Sequence, residues 1–280
     1  MSHVLILTVI GIVLALAIGL VAKYFGAEQD PRADQLLALL PGANCGGCGF
    51  AGCGDYVKAM LEGRAKPGCC PGMNAASLAK ASCILGVEAE EHERKVAVVC
   101  CRGDESVAVN RAFYNGVTDC VNAVMVANGG KACTFGCLGL GTCARVCPFG
   151  AIEITDKHLA VVHPELCRGC NKCVEVCPRH IIKLVPAKAP VHVLCSSPES
   201  FKIKKGVCSA ACIGCHKCAK AAKEGQITFN GFLACINYAN PPDPEVADVC
   251  PVHVIAASQA QQSEVISKLA RNALRDGRSG

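Results

Sequence analysis

Cys167, Cys170, Cys173 and Cys177 follow one another at x2, x2 and x3 spacing, and Pro178 follows the last. Thiolates three residues apart can cover three corners of an iron–sulfur cubane from one compact loop. The fourth cysteine, ahead of proline, points away and ligates a neighbouring cluster. By this crossing, Cys167, Cys170 and Cys173 are expected to hold one [4Fe-4S] cluster completed by Cys147, while Cys177 completes the next. The neighbouring run is Cys133-x3-Cys137-x5-Cys143-x3-Cys147-Pro148. Aligned on its Cys-Pro, the usual second ligand falls on Leu140, which cannot ligate. The expected set is Cys133, Cys137, Cys143 and Cys177, with Cys120 the rival for the place of Cys133.

A third run, Cys212-x2-Cys215-x2-Cys218, has Ala222 where the Cys-Pro cysteine would stand, and Cys250-Pro251 lies downstream. One retained cluster is expected on Cys212, Cys215, Cys218 and Cys250. By the crossing rule the thiolate missing at Ala222 belonged to a lost second site. A fourth pattern reads Asn44-Cys45-Gly46-Gly47-Cys48-Gly49 with Cys53 after it, then Cys70-Pro71. Glycines beside ligands let the backbone approach a cluster and donate N–H bonds to its sulfurs. Cys45, Cys48, Cys53 and Cys70 are the expected ligands, with adjacent Cys69 as the alternative to Cys70. The cofactors expected are therefore four [4Fe-4S] clusters, and at least three, with these cysteines as iron ligands and about sixteen iron atoms per chain.

Structural zinc is the competing use of four thiolates. A disulfide scaffold fits poorly: such scaffolds are short and secreted, whereas this chain has 280 residues with its 24 cysteines mostly in ligand-like runs. Cys83, Cys100, Cys101, Cys120, Cys195, Cys208 and Cys235 stand outside the sets, and buried packing is their default. A repeat leaves a further cluster open: Cys120, Cys133 and Cys137 have the same spacings as Cys195, Cys208 and Cys212.

These loops need elements to hold them. Cys-Pro followed by a short apolar run occurs three times, as CPFGAI from Cys147, CPRHII from Cys177 and CPVHVI from Cys250, as a small ferredoxin fold leaves its cluster loop for a strand or helix. Lys95 to Cys100 (KVAVVC) reads as a strand, and Ala33 to Leu40 as a short helix stopped by Pro41-Gly42. Val4 to Ala22 is an uncharged apolar run of 19 residues, long enough at 1.5 Å per residue to span roughly the 30 Å of bilayer hydrocarbon. It is longer than a signal-peptide core and lacks a basic start, so an uncleaved anchor is expected. Lys23 and Arg32 follow the span, which places the bulk of the chain on the cytoplasmic side, where thiols stay reduced.

The expected organisation is α+β: a transmembrane anchor over 1–26, a four-cysteine [4Fe-4S] domain over 27–90, and a connecting region over 91–130. A two-cluster ferredoxin-like domain over 131–188, a degenerate ferredoxin-like domain over 189–257, and a C-terminal helix and tail over 258–280 follow. The net charge of +5 gives no case for nucleic acid. No strand–GxGxxG–helix unit or P-loop is present; GCLGLG at 136–141 lies inside a cysteine loop. No catalytic residue is identified, so this chain alone carries no complete active site. His163, His180, His216 and His253 lie near the motifs and are expected to be surface or loop-packing residues. Lys202, Lys204 and Lys205 are expected on a solvated face, with docking of an acidic ferredoxin as the alternative.

GANCGGCGFAGC with its distant Cys-Pro resembles the four-cysteine domain shared by the B subunit of the Rnf-type ion-translocating oxidoreductase complex and some corrinoid proteins of carbonyl metabolism. KACTFGCLGLGTCARVCPFGAI, with leucine at the missing ligand, looks like the same B subunit in anaerobes, and an anchor precedes both. The resemblance implies a component of a bacterial inner-membrane complex that passes electrons between ferredoxin and NAD, coupled to sodium or proton translocation. It also implies that the other subunits and soluble ferredoxin are the partners, with electrons accepted on the cytoplasmic side. Two alternatives are an electron-transfer subunit of a related membrane complex that reduces an iron–sulfur regulator, and a zinc-binding interaction scaffold.

Overall fold

The computed structural model of the chain describes residues 2–25, 30–88 and 93–256. Helix α1 (Ser2–Phe25) contains the apolar run His3–Val21, all of it unburied by the rest of the protein. It is the one described helix long and apolar enough to cross a membrane. The C-terminal helix expected over 258–280 lies outside the described residues.

The four-cysteine unit is helical. Helix α2 (Pro31–Ala38) starts two residues earlier than the sequence suggests, because the Asp30 carboxylate accepts the Arg32 N–H (2.9 Å) and Pro31 occupies the first turn, where its missing N–H costs nothing. Helices α3 (Cys53–Leu61) and α4 (Ala75–Leu85) follow. Their apolar faces close on Leu36, Tyr56, Val57, Met60 and Ala81. The buried Tyr56 hydroxyl donates to the carbonyls of Lys66 and Pro67, each at 2.6 Å. This bond holds the turn that leads into Cys69 and Cys70.

The remainder forms two similar α+β modules. In the first, β1 (Lys95–Val99) pairs antiparallel with β4 (Ile182–Pro186), and β2 (Ile152–Ile154) forms a hairpin with β3 (Ala160–Val162). In the second, β5 (His192–Val193) pairs with β8 (Ile255–Ala256), and β6 (Ile227–Asn230) with β7 (Leu233–Ile236). Each module thus has an outer pair, made by the strand before the cysteine loops and the strand after the last Cys-Pro, around an inner hairpin. β1 ends at Val99, one residue short of the expected strand, and lies in the stretch expected to connect domains. Four of its five residues are buried, so 91–130 contributes a core strand to the ferredoxin-like module. Helix α5 (Cys120–Met125) also belongs to this stretch.

Candidate metal centres

Three one-turn helices carry the third cysteine of each ferredoxin-type motif. They are Thr142–Arg145, Lys172–Glu175 and Lys217–Ala221, each preceded by a left-handed residue: Gly141 (φ 79°), Asn171 (φ 71°) and His216 (φ 60°). This reversal brings Cys143, Cys173 and Cys218 back over their own loops, and all three are buried. The Cys-Pro segments turn alike. Gly150, His180 and His253 have φ of 60°, 49° and 49° and donate their N–H to the carbonyls of Cys147, Cys177 and Cys250. Each strand or loop that follows is thereby aimed away from the cysteine.

The consequence is crossing. Cys147 lines one cavity with Cys167, Cys170 and Cys173. Cys177 lines another with Cys137 and Cys143. Cys212, Cys215, Cys218 and Cys250 share a third. The fourth set is Cys45, Cys48, Cys53 and Cys70. Its members act on one another's charge, with Cys45 and Cys53 felt at Cys48, and Cys45 and Cys48 felt at Cys70. The Cys70 sulfur accepts N–H bonds from Gly72 and Met73. Asn44 braces the loop by accepting the Cys53 N–H on its side-chain oxygen (2.8 Å).

The cavity beside Cys137, Cys143 and Cys177 is lined by Cys120, the rival named for that place, and not by Cys133. The reason is local. Asp119 caps α5 through the N–H groups of Val121 and Asn122, and its other oxygen accepts the Thr142 hydroxyl at 3.0 Å. The Thr142 oxygen in turn accepts the Cys120 N–H at 2.7 Å. That pair of bonds pins Cys120 beside Cys143. Cys133 faces a different cavity, and its carbonyl is held by Arg179 at 3.0 Å. The readable signal was Asp119 as an N-cap ahead of a short apolar helix.

Lys204 is also not where the sequence suggests. It is 1% exposed, and its ammonium donates to the carbonyls of Ser197 (3.0 Å) and Phe232 (3.1 Å), while Lys202 and Lys205 remain on the surface. Among the histidines, His216 stacks on Phe229 with ring centres 3.8 Å apart, lining the third cavity. His163 pairs with Glu153 and Glu165 on the surface.

The donor sets suit a multi-atom anionic group. All 24 cysteines are free of disulfides. Burial, then neighbouring cysteines, pushes the Cys143 and Cys173 thiols up to about 12, so metal charge is needed to hold them as thiolates. Backbone N–H groups already point at several sulfurs: Ala97 to Cys167 (3.3 Å) and Ala151 to Cys147 (3.4 Å). Ligands of a single zinc at about 2.3 Å must crowd one another closely. No group of three or more candidate ligands among the described residues closes on a single ion in that way, although three of the quartets each line a common cavity. A cubane fits sulfurs held farther apart.

The sets are neighbours in space. Cys45 acts on the charge of Cys170, and Cys173 on that of Cys143. A Cβ added at Gly47 would lie 3.0 Å from both the Cys170 Cα and the Pro71 side chain. This glycine therefore lets the first unit dock against the loop of the second. Gly47→Val is expected to cost about 1–3 kcal/mol through overpacking and to slow electron exchange between the first centre and the rest. Thermal unfolding and stopped-flow reduction of the separate centres measure both effects.

Comparison with known proteins gives a consistent pattern. Residues 40–71 match the family described as "Putative Fe-S cluster", and residues 132–181 match the 4Fe-4S dicluster domain. The B subunit of the Na(+)-translocating ferredoxin:NAD(+) oxidoreductase complex of Acetobacterium woodii is 41% identical over 252 residues, covering 90% of this chain and 76% of the relative. The B subunit of the ion-translocating oxidoreductase complex of Methanosarcina acetivorans is 36% identical over 83% of this chain and 88% of its own. The B subunit of the proton-translocating ferredoxin:NAD(+) oxidoreductase complex of Clostridium ljungdahlii is 35% identical over 74% and 73%.

Proposed function

Because the chain belongs to the family of B subunits of the ion-translocating, Rnf-type oxidoreductase complexes, we propose that it is the membrane-anchored iron–sulfur electron carrier between ferredoxin and the subunits that reduce NAD. Four [4Fe-4S] ligand sets are assigned to it: Cys45, Cys48, Cys53 and Cys70; Cys147, Cys167, Cys170 and Cys173; Cys120, Cys137, Cys143 and Cys177; and Cys212, Cys215, Cys218 and Cys250. Bound there, the clusters would supply one-electron oxidation and reduction without bond changes to the protein.

The chain's own residues do the rest. Thiolates from more than one segment close each ferredoxin-type site, so neighbouring sites are held at a short fixed separation. N–H groups of Ala97, Ala151 and others donate to the sulfurs, which favours the reduced state by stabilising added negative charge. Val99, Ile152, Ala160 and Ile182 pack around the sites and keep water out. Helix α1 tethers the assembly to the bilayer. Lys23 and Arg32 on its C-terminal side support a cytoplasmic orientation, where soluble ferredoxin is available. The uncharged span offers no ionisable group for an ion path, so ion translocation and NAD chemistry belong to partner subunits.

The observation that carries this reading is the crossing, in which Cys147 and Cys177 each line the cavity of the other motif. Membranes lacking the chain are expected to lose ferredoxin-driven NAD reduction and to regain it when the gene is restored. Unchanged reduction after deletion would remove the proposal. Resetting of an iron–sulfur regulator would then be the activity to assay.

A further inference from the structure

Four cysteines outside those sets meet at the junction of the two ferredoxin-like modules. Cys101, Cys133, Cys195 and Cys208 line one cavity, as each of the three ferredoxin-type quartets does. The modules contribute them in matched pairs. Cys101 and Cys195 each stand two residues after the first outer strand of their module, beyond Val99 and Val193. Cys133 and Cys208 each stand four residues before the first cysteine of the following ligand loop, Cys137 and Cys212. The segment after β1 joins the two halves, with Val109 N–H bonded to the Val207 carbonyl and Ala132 N–H to the Val109 carbonyl, both at 2.9 Å.

The local geometry matches that of the assigned ligands. Each sulfur accepts the N–H of the residue two positions on: Cys101 from Gly103, Cys133 from Phe135, Cys195 from Ser197 and Cys208 from Ala210. Cys48, Cys70, Cys137 and Cys170 do the same with Phe50, Gly72, Gly139 and Lys172.

The surroundings call for an anion. Lys131 (4% exposed), Lys204 (1%) and Arg102 (3%) line this cavity. The two ammonium groups donate to backbone carbonyls, Lys131 to those of Gly103 and Cys137 and Lys204 to those of Ser197 and Phe232. The Arg102 Nη1 donates to the carbonyls of Val252 and His253, and its Nη2 is buried with no hydrogen-bond partner among the described residues. Against these three cations stands one buried carboxylate among the described residues, Asp104, which acts on Arg102, and the uncompensated positive charge that remains is costly to bury. An iron–sulfur cluster with four thiolates is net negative and offsets it.

We infer that Cys101, Cys133, Cys195 and Cys208 form a fifth four-thiolate site for an iron–sulfur cubane, shared between the modules and bridging the dicluster module to the third motif. The inference rests on the carrier function proposed above. Its position completes a path. On one side Cys101 accepts the Cys137 N–H at 3.3 Å. On the other, Cys195 accepts the Cys212 N–H, and both Cys208 and Cys250 act on the charge of Arg102. One electron arriving from the Cys137 side oxidises its donor by one. It leaves toward the Cys212 side by reducing that acceptor by one, with no bond or proton exchanged.

The test is iron and acid-labile sulfide counting on the anaerobically purified full chain, together with Cys195→Ser and Cys208→Ser and spin-resonance spectra of the reduced proteins. About twenty irons are expected in the native chain, four per cubane. Each variant should lose about four irons and the same single centre while the others persist. A native count of about sixteen, or variants with unchanged counts, would overturn the fifth site and leave the carrier function standing. A chain carrying only zinc would overturn both. If the serine variants do not fold, the native count still decides.

Discussion

Replacing either Cys147 or Cys173 by alanine is expected to remove one and the same cluster, although the two residues belong to different motifs. Cys147 ends the run that begins at Cys133, yet it lines the cavity of Cys167, Cys170 and Cys173. Each variant should lose about four irons and the same spectroscopic centre, and ferredoxin-driven NAD reduction should fall nearly to zero because the centre lies within a single path. Cys177→Ala, only a few residues from Cys173, should instead extinguish the centre held by Cys137 and Cys143. The result that sinks the crossed assignment is loss of different centres in Cys147→Ala and Cys173→Ala. Resolved spectra of the reduced variants distinguish the two outcomes where activity alone would not.

The second large effect separates Cys120 from Cys133. Cys120→Ala should remove the centre that Cys143→Ala removes, since burial and the neighbouring thiols place both in one cavity. Cys133→Ala should leave that centre intact and remove the one shared with Cys101, Cys195 and Cys208. Asp119→Ala offers a graded version. It takes away the cap of α5 and the acceptor of the Thr142 hydroxyl, costs about 0.5–2 kcal/mol, and should make the Cys143 centre selectively labile to loss of iron. An Asp119→Ala protein whose centres all decay together would show that the cap serves the fold at large rather than Cys120.

The run from Cys167 to Cys177 was legible as a ligand loop because its geometry is local: residues three apart in a tight turn converge whatever surrounds them. The transmembrane length of α1 was legible for a similar reason, since helical rise and apolarity are properties of the segment. The repeat of spacings around Cys120 and Cys195 was legible but misleading. Cys120 joins the cavity of Cys137 and Cys143, whereas its counterpart by spacing, Cys195, joins Cys101, Cys133 and Cys208. The structural counterpart of Cys195 is Cys101, and it is revealed by the matching outer strands β1 and β5 rather than by intervals between cysteines. Lys204 shows the same limit. A basic cluster reads as surface, but one of its members is buried against the carbonyls of Ser197 and Phe232.

Sequence by itself determined which cysteines share a local loop, and that residues 4–22 are an apolar run of membrane-spanning length. Tertiary structure decided which thiols line a cavity together and where the buried cations lie among them. The physical reason is that a cubane needs ligands from several directions. One loop supplies at most three, and the direction of the last is set by how strands, caps and distant segments pack.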